Sequence, residues 1–367
     1  MKNKSLSYQI ALTLIQGIGP VKAKNLIAYC GSAEAIFKEK KSALLKIPEI
    51  GEQGARLILD ADVMKRADQE VRFIEDHDIL PLFYTDKDYP TRLKLCDDGP
   101  ILLYTRGVMQ MNVDRVISIV GTRDASEYGK SFCDLLLREI SPYDPLVVSG
   151  MAYGIDIAAH RSAVHYKLQT IGCLAHGLER VYPQIHKSTA EEMMLRGGLL
   201  SEFVSKTDMS PELFPTRNRI IAGMADCTIV VETDTKGGSI ITAYLANGYG
   251  REVFALPGRH YDKESSGCNM LIKRNIAAIL TSPQDLIEYL NWGEKKSPTA
   301  RQISMFPDLN PDETALVKIL QEKGKTPIDE LSLVSEKPMA KLSGILLDLE
   351  FKGVVRSLPG KIFDLVK

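Results

Sequence analysis

Between residues 115 and 290 short apolar runs recur with almost no polar interruption: Val116–Val120, Leu146–Ser149, Thr170–Leu174, Leu199–Glu202, Thr228–Glu232 and Glu252–Leu256. Stretches of helical period separate most of them. Runs that are apolar at nearly every position suit strands buried on both faces, so this region predicts an α/β unit with a mostly parallel sheet covered by helices. Upstream, residues 61–75 read as a helix. Leu80 to Tyr104 is punctuated by Pro and Asp and reads as extended pieces. Downstream, residues 291–310 are polar and Pro-bearing, the signature of a linker. The expected division is 1–75 helical, 76–290 α/β, 291–310 linker and 311–367 a small terminal domain.

The helical region contains a repeat. Ile15-Gln16-Gly17-Ile18-Gly19 recurs as Ile47-Pro48-Glu49-Ile50-Gly51, and Ala23-Lys24 recurs as Ala55-Arg56. Helix, tight glycine turn and helix resemble a tandem helix-hairpin-helix, or SAM-like, domain. The turn either brings backbone N–H groups to a phosphate or is purely structural. Glu49 stands where the first copy has Gly17, which weakens the second copy as a phosphate contact. In the terminal domain, Asp312–Lys323, a short helix near Ile328–Leu333 and Pro338–Glu350 precede a hairpin within residues 352–363. This order predicts a winged-helix module. Its candidate recognition helix offers only Lys337 and Lys341 as cations, opposed by Asp348 and Glu350. Protein contact or a minor DNA contact therefore fits it better than sequence readout.

Composition narrows the function. The chain has 367 residues, 44% hydrophobic and 25% charged, with a formal net charge of −1. A near-neutral chain exerts no bulk attraction on polyanions, so any nucleic-acid binding must use a local groove. No apolar run reaches the roughly 18 residues needed to span a bilayer, and the N-terminus carries no signal-peptide pattern. The six cysteines are scattered, several within apolar runs, and fit core positions in a reducing compartment. The expectation is cytoplasmic.

The candidate chemistry lies at the strand ends. Gly121-Thr122-Arg123-Asp124-Ala125-Ser126 follows the first apolar run. Ser149-Gly150-Met151-Ala152-Tyr153-Gly154-Ile155-Asp156 follows the second, and Lys236-Gly237-Gly238-Ser239 follows the fifth. Each opens a helix, and small residues there let amide N–H groups approach an anion. Phe214-Pro215-Thr216-Arg217-Asn218-Arg219 is expected to put two guanidinium groups in the first turn of a further helix, at its positive end. Neither G-x-G-x-x-G nor a Gly-Lys-Ser/Thr loop is present, so the pattern is neither a dinucleotide fingerprint nor a Walker A site. The histidines of this region have no metal-ligand spacing, and no metal or cofactor is expected. His160 reads as a core residue, and Asp156 is also explained by the helix dipole.

In this order the motifs resemble the DNA-processing protein A family (DprA, also called Smf). The resemblance runs through Gly121-Thr122-Arg123, Ser149–Asp156, Tyr182-Pro183, Ser201-Glu202, Phe214–Arg219, Gly237–Ala243, Gly250-Arg251-Glu252-Val253, Pro257-Gly258 and Ser266–Asn269. It implies a Rossmann-like core that binds single-stranded DNA, brings the RecA recombinase onto it during natural transformation, and pairs into a homodimer through that core. It also implies a phosphate-binding set of Gly121, Arg123, Ser126, Ser149, Gly150, Met151, Ala152, Gly154, Asp156, Arg217, Asn218, Arg219, Gly238 and Ser239. Lys187 would stand in for a family lysine near the Tyr-Pro step.

The competing reading is an enzyme or nucleotide sensor on the same core. The core also resembles nucleotide phosphoribohydrolases with a Gly-Gly-x-Gly-Thr-x-x-Glu loop. Here Gly237-Gly238-Ser239 leads to Tyr244, where that family places its catalytic glutamate. Glu202 and Glu232 remain as carboxylates near strand ends. No enzyme activity is expected.

Overall fold

The computed structural model describes residues 2–293 and 309–366. Nine strands form one sheet: β1 (Leu80–Phe83), β2 (Leu102–Val108), β3 (Val116–Val120), β4 (Leu146–Ser149), β5 (Thr170–Cys173), β6 (Gly197–Ser201), β7 (Cys227–Val230), β8 (Glu252–Ala255) and β9 (Ala278–Ile279). Their order is β1-β2-β6-β5-β4-β3-β7-β8-β9. From β6 to β9 every neighbouring pair is parallel, while β2 runs antiparallel to β6 and β1 antiparallel to β2. All six expected strands are present, with β6 beginning two residues earlier, at Gly197.

The chain builds β3 to β6 outward on one side, then crosses to lay β7 to β9 on the other. The strand order therefore reverses between β3 and β7. At such a switch point the loops at the strand ends diverge and leave a crevice.

Helices cover both faces: α8 (Glu127–Ile140), α9 (Ile155–His165), α10 (Lys187–Met193), α11 (Leu213–Met224), α12 (Gly238–Gly248), α13 (Lys263–Lys273) and α14 (Pro283–Tyr289). Alternation along β3 shows why every position is apolar or small. Ile117 and Ile119 join Phe132 and Leu136 of α8, Ala159 of α9 and Leu286 of α14. Val116 and Val120 face the other way, toward Ile220 and Ile221 of α11 and Ala243 of α12. The polar Ser118 between them is satisfied by Thr228 Oγ1 at 2.8 Å.

Six helices precede the sheet: α1 (Lys2–Leu14), α2 (Pro20–Cys30), α3 (Ala33–Ile36), α4 (Lys41–Leu44), α5 (Gly51–Leu59) and α6 (Met64–Asp76); α7 (Thr91–Lys94) lies between β1 and β2. The two hairpin turns have the same backbone, with Gly17 at φ 84° and Glu49 at φ 67°. The helical layer shares a core with the sheet unit, since Ile10, Leu12 and Ile74 cluster with Tyr104, Leu178 and Met193. A buried polar clamp ties them further. Glu70 accepts from Ser205 N–H at 2.8 Å and Ser205 Oγ at 2.6 Å, and Arg66 donates to Glu70 at 2.9 Å.

The C-terminal unit has α15 (Pro311–Lys323), α16 (Ile328–Ser335) and α17 (Met339–Phe351), with β10 (Thr326–Pro327), β11 (Val355–Leu358) and β12 (Ile362–Leu365) in the order β10-β12-β11. This is the winged-helix arrangement. Most of the segment expected as a linker lies outside the described residues. At its described ends Trp292 is buried beside Tyr143, and Asn310 forms a capping box with Glu313. Among the described residues no helix is long and apolar enough to cross a membrane.

Candidate nucleic-acid interface

At the β3/β7 switch point lies a cleft of about 330 Å³, lined by Gly121, Thr122, Arg123, Ala152, Asp156, Phe214, Pro215, Arg217, Asn218, Gly237, Gly238, Ser239 and several neighbours. Two loops pack directly against each other to build its wall. Gly154 adopts φ 75°, and a Cβ there would fall on the carbonyl oxygens of Thr122 and Arg123. A Cβ on Gly121 would strike Ile155, so neither position accepts a side chain. Ile155 N–H donates to Thr122 O at 3.1 Å and locks the pair.

Two helix N-termini, those of α9 and α12, meet this cleft, and their dipoles give it a positive bias. Ser239, in the first turn of α12, is buried at 7% exposure, and its Oγ has no hydrogen-bond partner. Arg123 is exposed, and its guanidinium lies 5.3 Å from the centre of the Phe214 ring. A cation held over an aromatic face beside a crevice can pair with an anion while the ring takes an apolar surface.

Arg217 has a different character. It is 5% exposed, its Nη1 donates to Cys173 O and its Nε to Asn218 Oδ1 at 3.1 Å. Gly150 has no room for a Cβ because the Asp156 carboxylate and the Arg217 guanidinium both lie against it. Burial pushes the Asp156 carboxyl up and Arg217 opposes that shift. Burial likewise pulls Arg217 down while Asp156 opposes it. The floor of the cleft therefore holds two buried opposite charges side by side against Gly150, each offsetting the other, and Arg123 supplies the accessible charge. The backbone N–H of Ala152 also points to Asp156, at 3.4 Å.

Several sequence expectations change here. Arg217 and Arg219 are not in the first turn of their helix, because α11 begins at Leu213. Arg219 leaves the cleft altogether. It pairs with Glu202 and donates to Asp98 O at 2.6 Å, forming a buried tie between α11 and the loops beneath it. Two residues apart on a helix means about 200° of rotation, so two such arginines cannot share one face. Ser126 caps α8 by accepting Gly129 N–H at 3.2 Å and donates to Glu232, on a separate cavity with Tyr128 and Arg259. Ser149 Oγ is fully buried and donates to Ile119 O at 2.6 Å. Lys187 is exposed at the start of α10, 3.8 Å from Glu191, and does not line the cleft.

A narrow slot adjoins the cleft past Arg123. Tyr153, Tyr182 and Phe214 line it, together with Met151, His176 and Arg217. His176 is buried, its Nδ1 lies 2.8 Å from Gly177 O, and its Nε2 has no partner. Burial lowers its pKa. Tyr153 and Tyr182 lie on two separate loops and Phe214 in the first turn of α11, so spacing along the chain gave no sign that they converge. The carboxylates of the enzyme reading are committed elsewhere. Glu232 accepts from Ser126 N–H at 2.9 Å and from its Oγ, and Glu202 holds Arg219. His160 is a satisfied core residue between Thr170 Oγ1 at 2.7 Å and Gly150 O at 2.6 Å.

Fold and cleft define the class: a Rossmann-like α/β protein with an anion-receptive crevice at its switch point, flanked by a helix-hairpin-helix layer and a winged helix. Residues 81–291 match the family model described as DNA recombination-mediator protein A, and the chain belongs to that family. Residues 10–61 match a SAM-like helix-hairpin-helix tandem and 304–361 the DprA winged-helix domain. Protein Smf of Synechocystis is 29% identical over 98% of both chains. DNA processing protein DprA of Bacillus subtilis is 40% identical over 56% of this chain and 69% of its own. Among solved structures, DNA processing protein A of Streptococcus pneumoniae aligns at a TM-score of 0.65 and 27% identity, covering 77% of this chain and 97% of that one. The Helicobacter pylori protein, whose structure was described for its single-stranded DNA binding mode, aligns at 0.53 and 29%, covering 58% and 96%.

Proposed function

We propose that this protein binds single-stranded DNA along the β3/β7 cleft, protects incoming strands and loads RecA recombinase onto them during natural transformation, acting in the cytoplasm as a homodimer paired through the Rossmann-like domain. The observation that carries the reading is the exposed Arg123 guanidinium over the Phe214 ring, at a crevice where the α9 and α12 N-termini converge. A guanidinium and amides suit a phosphate, and a ring suits a base. Single strands present both to the same groove. A duplex hides its base faces, and the chain has no net positive charge to hold it otherwise. The relationship to the H. pylori protein supports the ligand class.

Within the proposed site Arg123, Gly238 and Ser239 contact phosphate, Asn218 lies beside them, and Arg217 with Asp156 holds the floor. The test is titration of the full chain with fluorescent oligo-dT and with a blunt duplex of equal length, at several salt concentrations. Binding of the single strand should be tighter and fall steadily with salt. Equal affinity for the two ligands in one buffer overturns the reading.

A further inference from the structure

The helix of the winged-helix unit that would read DNA is built to meet a helix instead. On α17 the exposed positions Ala340, Gly344, Leu347 and Phe351 fall within an arc of about 60° at 3.6 residues per turn. Phe351 is 82% and Leu347 52% exposed, and a Cβ on Gly344 would meet nothing within 4 Å. A glycine inside a solvent-facing helix costs about 1 kcal/mol relative to alanine and gains nothing from this fold. Such a residue is useful where another helix must approach closely. The cations are not poised for phosphates either: Lys337 and Lys341 both pair with Asp312, at 2.6 and 2.8 Å.

The stripe is complementary to itself when reversed. We propose that α17 packs antiparallel against α17 of a second copy of this chain, about a two-fold axis between Gly344 and Leu347. Each large side chain then meets a small residue, Phe351 over Ala340 and Leu347 over Gly344 of the other copy. In this geometry equivalent flanks of the two helices face each other. Lys341 and Asp348 share one flank, so Lys341 of each copy comes beside Asp348 of the other. Parallel pairing would instead put Phe351 on Phe351 and carry Lys341 and Asp348 of the two copies to opposite flanks, away from each other. A single helix pair buries less than the roughly 1,200 Å² of a stable interface, so the contact is weak and reversible. It is independent of the DNA cleft and of pairing through the Rossmann-like domain.

The test uses the full chain carrying Ala340→Cys or Phe351→Cys. Like residues would lie about 16 Å apart along the pair at 1.5 Å per residue, beyond the reach of a disulfide. Under mild oxidation, the mixture of the two variants should form an inter-chain disulfide, and neither variant alone should exceed wild type. Cross-linking by each variant alone would mean parallel pairing and overturn the proposal, as would no cross-link in the mixture. Shielding of both cysteines by duplex DNA, without a cross-link, would assign the face to nucleic acid instead. In the cysteine background, Lys341→Glu and Asp348→Lys should each lower the yield at least about five-fold. The combined swap should restore it, since charge complementarity rather than folding is then what changed. Failure of the swap to restore yield, with melting curves unchanged, also overturns it.

Discussion

Arg123 and Arg217 line one cleft, and the structure assigns them opposite responses to removal. Arg217→Ala leaves Asp156 buried without its guanidinium and Cys173 O without its donor. Leaving a buried carboxylate and carbonyl without the group that offsets them costs about 1–3 kcal/mol, because they keep their desolvation penalty. For a domain of this size, the melting temperature should fall by roughly 3–10 °C. Arg123 is exposed and lies over the Phe214 ring, so Arg123→Ala should change stability by less than about 1 kcal/mol. Its effect belongs to binding. A charged hydrogen bond is worth roughly 1.5–3 kcal/mol, which predicts a loss of about one to two decades in oligo-dT affinity. The logarithmic salt slope should flatten by roughly 0.7 for the phosphate lost. The measurements are melting curves and fluorescence titrations of both variants. The double variant Asp156→Asn with Arg217→Met should recover most of the lost stability if the uncompensated charge is the cause. An Arg123→Ala protein that melts like wild type and keeps both affinity and slope would refute the placement of the phosphate contact. A stable Arg217→Ala protein would refute the buried-pair argument.

Other consequences are simpler to state. Burial drives the His160 pKa down to about 4 in the folded protein, below the unfolded value of about 6.5. Its contribution is therefore present above pH 6.5 and is lost as pH falls toward 4, by up to about 3 kcal/mol. Thermal melts across that window should show the loss, and His160→Gln should flatten it; identical profiles would count against the assignment. Glu49→Gly should stabilise the helical layer by about 0.5–1 kcal/mol in urea melts, since φ is 67° there. Gly17→Ala should do the reverse, because its Cβ would also press on Leu57. Incubation with nucleoside monophosphates should release no free base. Turnover above a heat-killed control and lost in Glu232→Gln would restore the hydrolase reading.

The sheet was legible because its strands are buried on both faces, which leaves near-continuous apolar runs such as Val116–Val120. The hairpin repeat was legible from the matching Ile15/Ile47, Ile18/Ile50 and Gly19/Gly51, although the sequence alone could not reveal that Glu49 adopts the left-handed turn without glycine. Helix starts were less accessible. The arginines were expected in the first turn of their helix, yet that turn accommodates Pro215 and the helix starts at Leu213. That shift moves the arginines from the dipole end to the second turn. Rotation along the helix then sends Arg217 under the cleft and Arg219 to Glu202.

The same shift explains why charge type alone does not say which arginine faces the cleft. Arginine beside glycine-rich loops reads as phosphate chemistry in sequence, but a guanidinium can be used up by the protein itself. Arg217 is, since the loop that must turn at Gly150 leaves Asp156 and Cys173 O facing inward. Arg219 is too, held by Glu202 and Asp98 O. Arg123, by contrast, is exposed on the cleft wall and lies over the Phe214 ring, with its charge near the buried Asp156 carboxylate but open to solvent. A cleft proposed to release and rebind a polyanion needs this division. Compensated charges hold the loops in place whether or not DNA is present, and the accessible arginine responds to the ligand. The affinity per phosphate should therefore follow Arg123 and the helix amides, while the shape of the cleft follows Arg217.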